Sequence, residues 1–399
     1  MIYVPRPWHE ELLRGSKRAL LFGRRKTGKT TLVRRVLGDW LYIYVKPSGE
    51  FFLPEEDASY DLRSILPLLR RSRVIVDEFH RAPREFIYRL QAGDMPEEIV
   101  LVTSTLHLAE KFTLSQDAPL KGLFTEIPVP LLEPLNLLRY FKPTTKEEFE
   151  KIVFYQEPTQ IGKELYPILE GSLNFSLSLL SEVLREEEVS FSRRLEGILR
   201  VTSTGESRPS RITSKLYSMG LIPKENTGLV SKYIDLLVKT GFLEKIRIYK
   251  SKRYILRHVS PLTAFAFYVE EKYGFYEGIS LWGKEFLLKV FRNRASFYIE
   301  QFMERFFSEL WGLKPVKILE PEVDIALMEY KKLKIIGEVK WKNKVSQKEI
   351  REVEEKLGKL NAEKKILVVP EETVLEGETS LEVWDIEKIS REASHKPRT

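Results

Sequence analysis

Arg18-Ala-Leu-Leu-Phe22-Gly23-Arg24-Arg25-Lys26-Thr27-Gly28-Lys29-Thr30 joins a short apolar run to a segment of helical character, Thr31-Leu-Val-Arg-Arg-Val-Leu37. Gly23-x4-Gly28-Lys29-Thr30 at that junction has the strand–loop–helix setting of a phosphate-binding loop. Glycines let backbone N–H groups turn inward around phosphates, and the helix N-terminus adds its positive dipole. The spacing predicts that Gly23, Arg24, Arg25, Lys26, Thr27, Gly28, Lys29, Thr30 and Thr31 cradle a nucleotide with Mg²⁺. Lys29 would reach the β- and γ-phosphates and the Thr30 hydroxyl would hold the cation. An ordinary glycine-containing surface turn is the competing account, and it leaves the flanking strand and helix unexplained.

Working outward, Arg73-Val-Ile-Val-Asp77-Glu78 is a β-branched run ending in two acids, which predicts a buried parallel strand with carboxylates at its carboxyl end. Beside a phosphate-binding loop, Asp77 is the expected Mg²⁺ ligand through water, and Glu78 the residue that polarises the attacking water. Ile99-Val-Leu-Val-Thr103-Ser104-Thr105 predicts a further buried strand ending in hydroxyls. Ser104 could sense the γ-phosphate or orient the water. Equally, Ser and Thr there could cap the next helix.

Composition narrows the class. The chain has 399 residues, 43% hydrophobic and 31% charged, which fits a globular protein of two to four domains. No apolar stretch approaches the ~18 residues of a membrane span, and the N-terminus lacks a signal-peptide pattern, so a cytoplasmic location is expected. The absence of cysteine excludes disulfides and thiolate metal sites, and five scattered histidines have no metal-ligand spacing. Heavy use of Lys, Glu and Arg fits a thermophile. The net charge of +7 favours polyanions, and residues 1–36 carry ten Lys/Arg against Glu10 and Glu11. Some of that charge serves the nucleotide; the rest either faces nucleic acid or is solvated.

Alternating strand-like and helix-like segments from 18 to about 130 predict a parallel α/β core, assigned to residues 1–140. Residues 141–187 read as a small helical lid broken near Pro167 to Gly171. In 188–260 the pattern changes. Helices are expected at Phe191 to Val201, Pro209 to Tyr217 and Val230 to Lys239, followed by a hairpin of Gly241 to Tyr249 and Lys252 to Leu256. Three helices and a basic hairpin make a winged helix-turn-helix. Such a unit either lays its third helix in a DNA major groove, with Ser231, Lys232 and Lys239 as contacts, or serves protein interaction. Aromatic-rich residues 261–297 read as a helical linker.

Residues 298–399 form a last unit. Tyr298 to Trp311 is an amphipathic helix carrying Glu300 and Glu304 one turn apart, followed by strands around Val323-Asp324 to Met328 and Leu333 to Trp341. A helix from Gln347 to Leu360, a strand Ile366 to Val369 and a last strand Leu381 to Ile386 complete it. Glu338 and Lys340, two apart on a strand, share a face. With Asp324 opposite, Asp324 and Glu338 could bind Mg²⁺ and activate water against a phosphodiester, and Lys340 would help stabilise the pentavalent transition state or position the water. Solvated charges on one sheet face are the plainer account. It sits poorly with the apolar setting Ile335-Ile336-Gly337.

Gly23-x-Arg25 to Thr30, Val-Ile-Val-Asp77-Glu78-Phe79, Val-Thr-Ser104-Thr and Val-Asp324-Ile-Ala…Gly337-Glu338-Val339-Lys340-Trp341 together resemble archaeal predicted ATPases of the AAA+/STAND type. The resemblance spans nearly the whole chain. It implies a multidomain α/β protein: a P-loop NTPase core with helical lid, a winged helix, and a restriction-endonuclease-like domain of the PD-(D/E)xK kind. It implies phosphate-loop roles for Lys29 and Thr30, the Walker B roles for Asp77 and Glu78, and the sensor position for Ser104. Asp324, Glu338 and Lys340 match the nuclease motif, with Glu304 at the place of its helical glutamate. Where the family reads Gly-Arg ahead of an apolar strand, this chain has Gly122-Leu123-Phe124. An arginine finger is missing at that place, and Arg139 or an arginine of a neighbouring subunit in a homo-oligomer is the expected substitute. The functional expectation is an ATP- and Mg²⁺-dependent protein acting on double-stranded DNA. Its alternatives are a nucleotide-gated scaffold with a catalytically silent last domain, and a replication or transcription regulator.

Overall fold

The computed structural model describes residues 2–70, 73–94, 96–104, 106–186, 192–224, 226–274 and 283–395. Thr105, Phe191 and the 187/188 boundary of the sequence reading lie outside them.

The first layer begins with α1 (Pro7–Gly15), β1 (Arg18–Phe22), α2 (Lys29–Val36), β2 (Leu41–Val45), β3 (Phe51–Leu53), β4 (Ala58–Tyr60) and α3 (Leu62–Leu69). β5 (Val74–Asp77), α4 (Arg84–Gln91), β6 (Ile99–Thr103), α5 (Leu106–Ala109) and β7 (Thr125–Pro128) complete it. Seven strands lie in the order β4-β3-β2-β5-β6-β1-β7. Along that order pairing is parallel from β2 to β7, while β2–β3 and β3–β4 at the other end are antiparallel. β5 and β6 are buried along their whole length because apolar layers cover both faces: Leu20, Ile43 and Leu101 on one side, Ala19, Leu32 and Val100 on the other. Parallel pairing brings the carboxyl ends of β1, β5 and β6 to one edge, where such sheets place ligands.

Four helices follow: α6 (Pro134–Phe141), α7 (Lys146–Phe154), α8 (Leu165–Glu170) and α9 (Ser172–Glu186). Next come α10 (Arg193–Ser203), α11 (Pro209–Ser218), α12 (Thr227–Lys239) and the antiparallel hairpin β8 (Leu243–Arg247)–β9 (Tyr254–His258). α9 shares the core of this group through Leu179, Leu180 and Val183.

α13 (Pro261–Tyr273), α14 (Lys284–Arg292) and α15 (Ala295–Trp311) lead to a second sheet. Its elements are β10 (Lys314–Pro315), β11 (Ile325–Glu329), β12 (Lys332–Val339), α16 (Gln347–Gly358), β13 (Lys364–Val368), β14 (Glu382–Trp384) and α17 (Ile386–Ser394). The strand order is β10-β11-β12-β13-β14, antiparallel up to β12 and parallel beyond. The strand expected over Leu381 to Ile386 stops at Trp384, because the Asp385 carboxylate accepts the Lys388 N–H and turns the chain into α17. One apolar core runs from Leu135 and Phe154 through Phe265 and Phe302 to Ile325 and Trp384. α6, α7, α8 and α13 to α15 thereby share one core with a face of the second sheet, while α10 to α12 have a core of their own.

Candidate functional site

The loop leaving β1 is held in a conformation that glycine makes accessible. A Cβ on Gly23 would lie 2.2 Å from the Val129 carbonyl oxygen, and Gly28 caps α2 at φ +89°. Lys29 is buried, and its Nζ donates to the carbonyls of Gly23 (2.8 Å) and Arg24 (3.0 Å), inside the loop. Thr30 Oγ1 donates to Asp77 Oδ2 at 2.6 Å, and the Tyr42 hydroxyl donates to the same oxygen at 2.8 Å. The other Asp77 oxygen accepts the Glu78 N–H at 2.9 Å. A threonine hydroxyl and a carboxylate on adjoining elements are hard oxygen donors of the kind Mg²⁺ takes, so this pair fits that cation.

Glu78 sits in the left-handed region at φ +55°, which aims its carboxylate away from the strand. Ser104 Oγ donates to Glu78 Oε2 at 3.2 Å, so the two expected partners meet. Arg25 and Arg81 approach the Glu78 carboxylate at 3.9 Å each. His80 lies 3.5 Å from it but stays neutral, since burial first, and then Arg81, Arg25 and Lys29, pull its pKa down to about 3.

Three loop side chains turn elsewhere. Both Arg24 and Glu157 are buried, and Arg24 Nη2 contacts the two Glu157 oxygens at 2.6 Å. Arg24 thus ties the loop to the segment after α7, instead of facing a nucleotide as expected. Lys26 Nζ reaches Glu182 of α9 at 3.0 Å, and Arg25 Nε lies 3.8 Å from the same carboxylate. Thr27 Oγ1 donates to the Arg24 carbonyl at 3.0 Å, and Thr31 is exposed on the first turn of α2. Arg139 does not replace the missing arginine within the chain. Its guanidinium donates to the carbonyls of Ala393 (2.5 Å) and His395 (3.2 Å). Leu123 packs onto the sheet core.

In the second sheet Ile325 pairs with Gly337, so the next pair outward sets Asp324 opposite Glu338. Asp324 Oδ2 accepts the Val339 N–H at 2.9 Å. Glu338 is 2% exposed. Lys340 Nζ stands 3.8 Å from one of its oxygens, and Lys356 Nζ of α16 stands 2.5 Å from the other. Burial and then the Asp324 charge raise the Glu338 pKa. The helical glutamate in this field is Glu300, whose pKa burial, followed by Asp324, pushes up to about 8. Glu304 is engaged elsewhere: it pairs with Arg257 of β9, which also binds Glu244 at 2.6 Å. One helical turn separates Glu300 from Glu304, and only contacts absent from the sequence select between them. Among the described residues, no three His, Cys, Asp or Glu side chains come together as a metal-ion site. Of the two carboxylates expected to hold Mg²⁺ in this unit, Glu338 already has an ammonium against each oxygen.

Two of the expected DNA-facing parts are occupied. Lys239 at the end of α12 binds Glu110 of the first layer at 2.8 Å, while Lys232 is exposed. At the tip of the hairpin, Tyr249 N–H donates to the Lys317 carbonyl and Lys317 N–H to the Arg247 carbonyl, both at 2.9 Å. Sequence reasoning missed Tyr42 and Lys356, neither of which stands in a recognisable motif. It passed over His80 and Arg81, which directly follow Asp77-Glu78-Phe79.

No protein-family model and no curated protein matches the chain. Solved structures do. A Walker-type ATPase of Pyrococcus abyssi is similar over 66% of this chain and 96% of its own, with 17% identity and a TM-score of 0.50. The ORC2 protein of Aeropyrum pernix, in ADPNP–ADP complexes, is similar over 66% and 92%, with 14% identity and a TM-score of 0.38. A STAND protein with a tetratricopeptide repeat sensor from Pyrococcus horikoshii is similar over 76% and 48%, with 18% identity and a TM-score of 0.28. The likeness to the P. abyssi protein shows the fold alone: a mixed α/β chain with a largely parallel sheet. No described helix is long and apolar enough to cross a membrane.

Proposed function

We propose that the protein is an ATP-binding and ATP-hydrolysing switch that associates with double-stranded DNA. One observation carries the nucleotide part: the 2.6 Å contact of Thr30 with Asp77, made while Lys29 Nζ sits within the loop. Thr30 Oγ1 and Asp77 would hold Mg²⁺, which supplies charge neutralisation at the β- and γ-phosphates. Lys29 would exchange its two carbonyl partners for phosphate oxygens. Glu78, steadied by the Ser104 hydroxyl, would accept the proton of the attacking water. Arg25 and Arg81, each 3.9 Å from the Glu78 carboxylate, would add positive charge beside that water.

The DNA part rests on α10–α12 and the basic hairpin, whose order is that of a winged helix. Lys239 and the hairpin tip are bound within the chain, so Ser231 and Lys232 in the amino-terminal half of α12 remain as contacts. Glu182, which holds Lys26 and approaches Arg25, lies on the helix that shares the core of the three-helix group. A triphosphate competing for those cations would therefore act on that group. The β10–β14 unit, with α15 against it, has the element order of a restriction-endonuclease-like domain. The contact of Lys356 with Glu338 favours the second reading for it, a nuclease-like fold without catalysis.

Calorimetric titration with ATP and Mg²⁺ is the test. One site per chain is expected in wild type and none in Lys29→Ala. Absence of nucleotide binding by well-folded wild type would overturn the reading.

A further inference from the structure

Glu338 and Asp324 face each other across paired strands, one wholly buried and one partly, with Glu300 of α15 in the same field. Carboxylates gathered in so dry a place need a cation. In nuclease-like folds that cation is a divalent metal, yet the described residues do not bring three ligands together. They bring an ammonium instead. Lys356 Nζ lies 2.5 Å from Glu338 Oε1, a close ion pair with a buried oxygen that accepts no other hydrogen bond among the described residues. The helix carrying Lys356 is anchored, since Ile350, Val353 and Leu357 of α16 are buried against Ile336 and Leu367 of the sheet. A lysine on a fixed helix is thus set against the carboxylate from one side, while Lys340 approaches the other oxygen at 3.8 Å.

We propose that Lys356 is the resident cation of this carboxylate site, standing where a divalent metal would bind and excluding it. Lys340 and Lys356 together then leave the site near neutrality against Asp324 and Glu338 without any metal. The inference deepens the silent-domain reading of the β10–β14 unit and rests on it. It also identifies the residue whose removal would create a metal site. A neutral side chain at 356 leaves the Glu338 charge unmatched, and a hard divalent cation is the ion that two opposed carboxylates attract.

The experiment is Mn²⁺ titration of the full, nucleotide-free chain, followed by the paramagnetic resonance signal of free Mn²⁺. Wild type, Glu338→Gln, Lys356→Met, Lys356→Gln, Lys356→Arg and the double variant Lys356→Met/Glu338→Gln are compared, each checked for a cooperative melt. Wild type and Lys356→Arg are expected to bind Mn²⁺ no better than Glu338→Gln alone. Lys356→Met and Lys356→Gln should each gain one site, at least tenfold tighter, which the added Glu338→Gln removes. Equal, Glu338-dependent Mn²⁺ binding by wild type and Lys356→Met overturns the inference and leaves the nuclease-like reading standing. Failure of both folded neutral variants to gain a site overturns the inference as well, and leaves the silent-domain reading without a metal competitor. If the site is gained but no DNA or RNA is cleaved with it, the inference is supported and a latent nuclease is ruled out.

Discussion

Thr30 on the first turn of α2 and Asp77 at the end of β5 are joined directly, hydroxyl to carboxylate, across 2.6 Å. β5 and β1 are separated by β6 in the sheet, so only their common direction brings the two residues to one edge. The arrangement leaves Lys29 as the cation of the loop, with its ammonium held by two carbonyls. Lys29→Ala should therefore fold and yet ignore nucleotide. At a hundredfold excess of ATP over its Kd, wild type gains about 2.7 kcal/mol of stability, seen as a raised Tm. The variant should show no shift, and an undiminished shift would detach Lys29 from the phosphates.

Glu78 separates binding from turnover. Its carboxylate accepts from Ser104 and lies among Arg25, Arg81 and neutral His80, while Asp77 alone carries the bond to Thr30. Glu78→Gln should keep ATP affinity within a few-fold and lower hydrolysis by about 10²–10⁴, the usual worth of a positioned general base. Steady-state phosphate release checks it, and a rate within threefold of wild type would move the base elsewhere.

Arg257 stands between Glu244 on β8 and Glu304 on α15, and Arg305 also donates to Glu244. Burial would raise the Glu244 pKa, but Arg257 and Arg305 hold it at about 2. Removing Arg257 from this partly buried network leaves the buried Glu304 carboxylate without its counter-charge. Arg257→Met should cost about 3–5 kcal/mol in urea unfolding, and Arg257→Met/Glu304→Leu should recover part of that. A single-variant loss below about 1 kcal/mol would place the network in water.

The loop around Lys29 was legible because its chemistry is local: glycines, lysine and threonine within eight positions, between a strand and a helix. Asp77 and Ser104 were legible because buried parallel strands write themselves as β-branched runs. The side-chain role of Arg24 was not legible, since its partner, Glu157, is distant in sequence. Glu304 was named from the resemblance, and since an i,i+4 pair shares a helix face, spacing could not separate it from Glu300; their different partners in the fold do. Lys356 was invisible for the same reason: a lysine on an amphipathic helix reads as solvated until the facing strand is known. The edge hairpin β3–β4 escaped notice because strands of three residues are too short to display a period.

Glu309 near the end of α15 offers a pH test of the junction between α15 and α6. Its Oε2 accepts the Leu135 N–H at 2.9 Å, and Glu133, Arg305 and Arg139 act on the same carboxyl. Burial is the largest influence, and with the Glu133 charge it pushes the pKa up to about 8, from 4.5. The folded chain therefore keeps a proton that the unfolded chain has lost throughout the interval between those values. Stability falls as pH rises through it, by at most about 1.4 kcal/mol per pH unit from this group, and levels off above pH 8. Glu309→Gln holds the neutral form at every pH and retains an oxygen to accept the Leu135 N–H. Relative to wild type, the variant should be near parity at pH 5 and increasingly more stable toward pH 8, as measured by urea midpoints across the range. A difference that does not change with pH would mean that Glu309 is ionised in the fold and that Arg139 and Arg305 outweigh its burial.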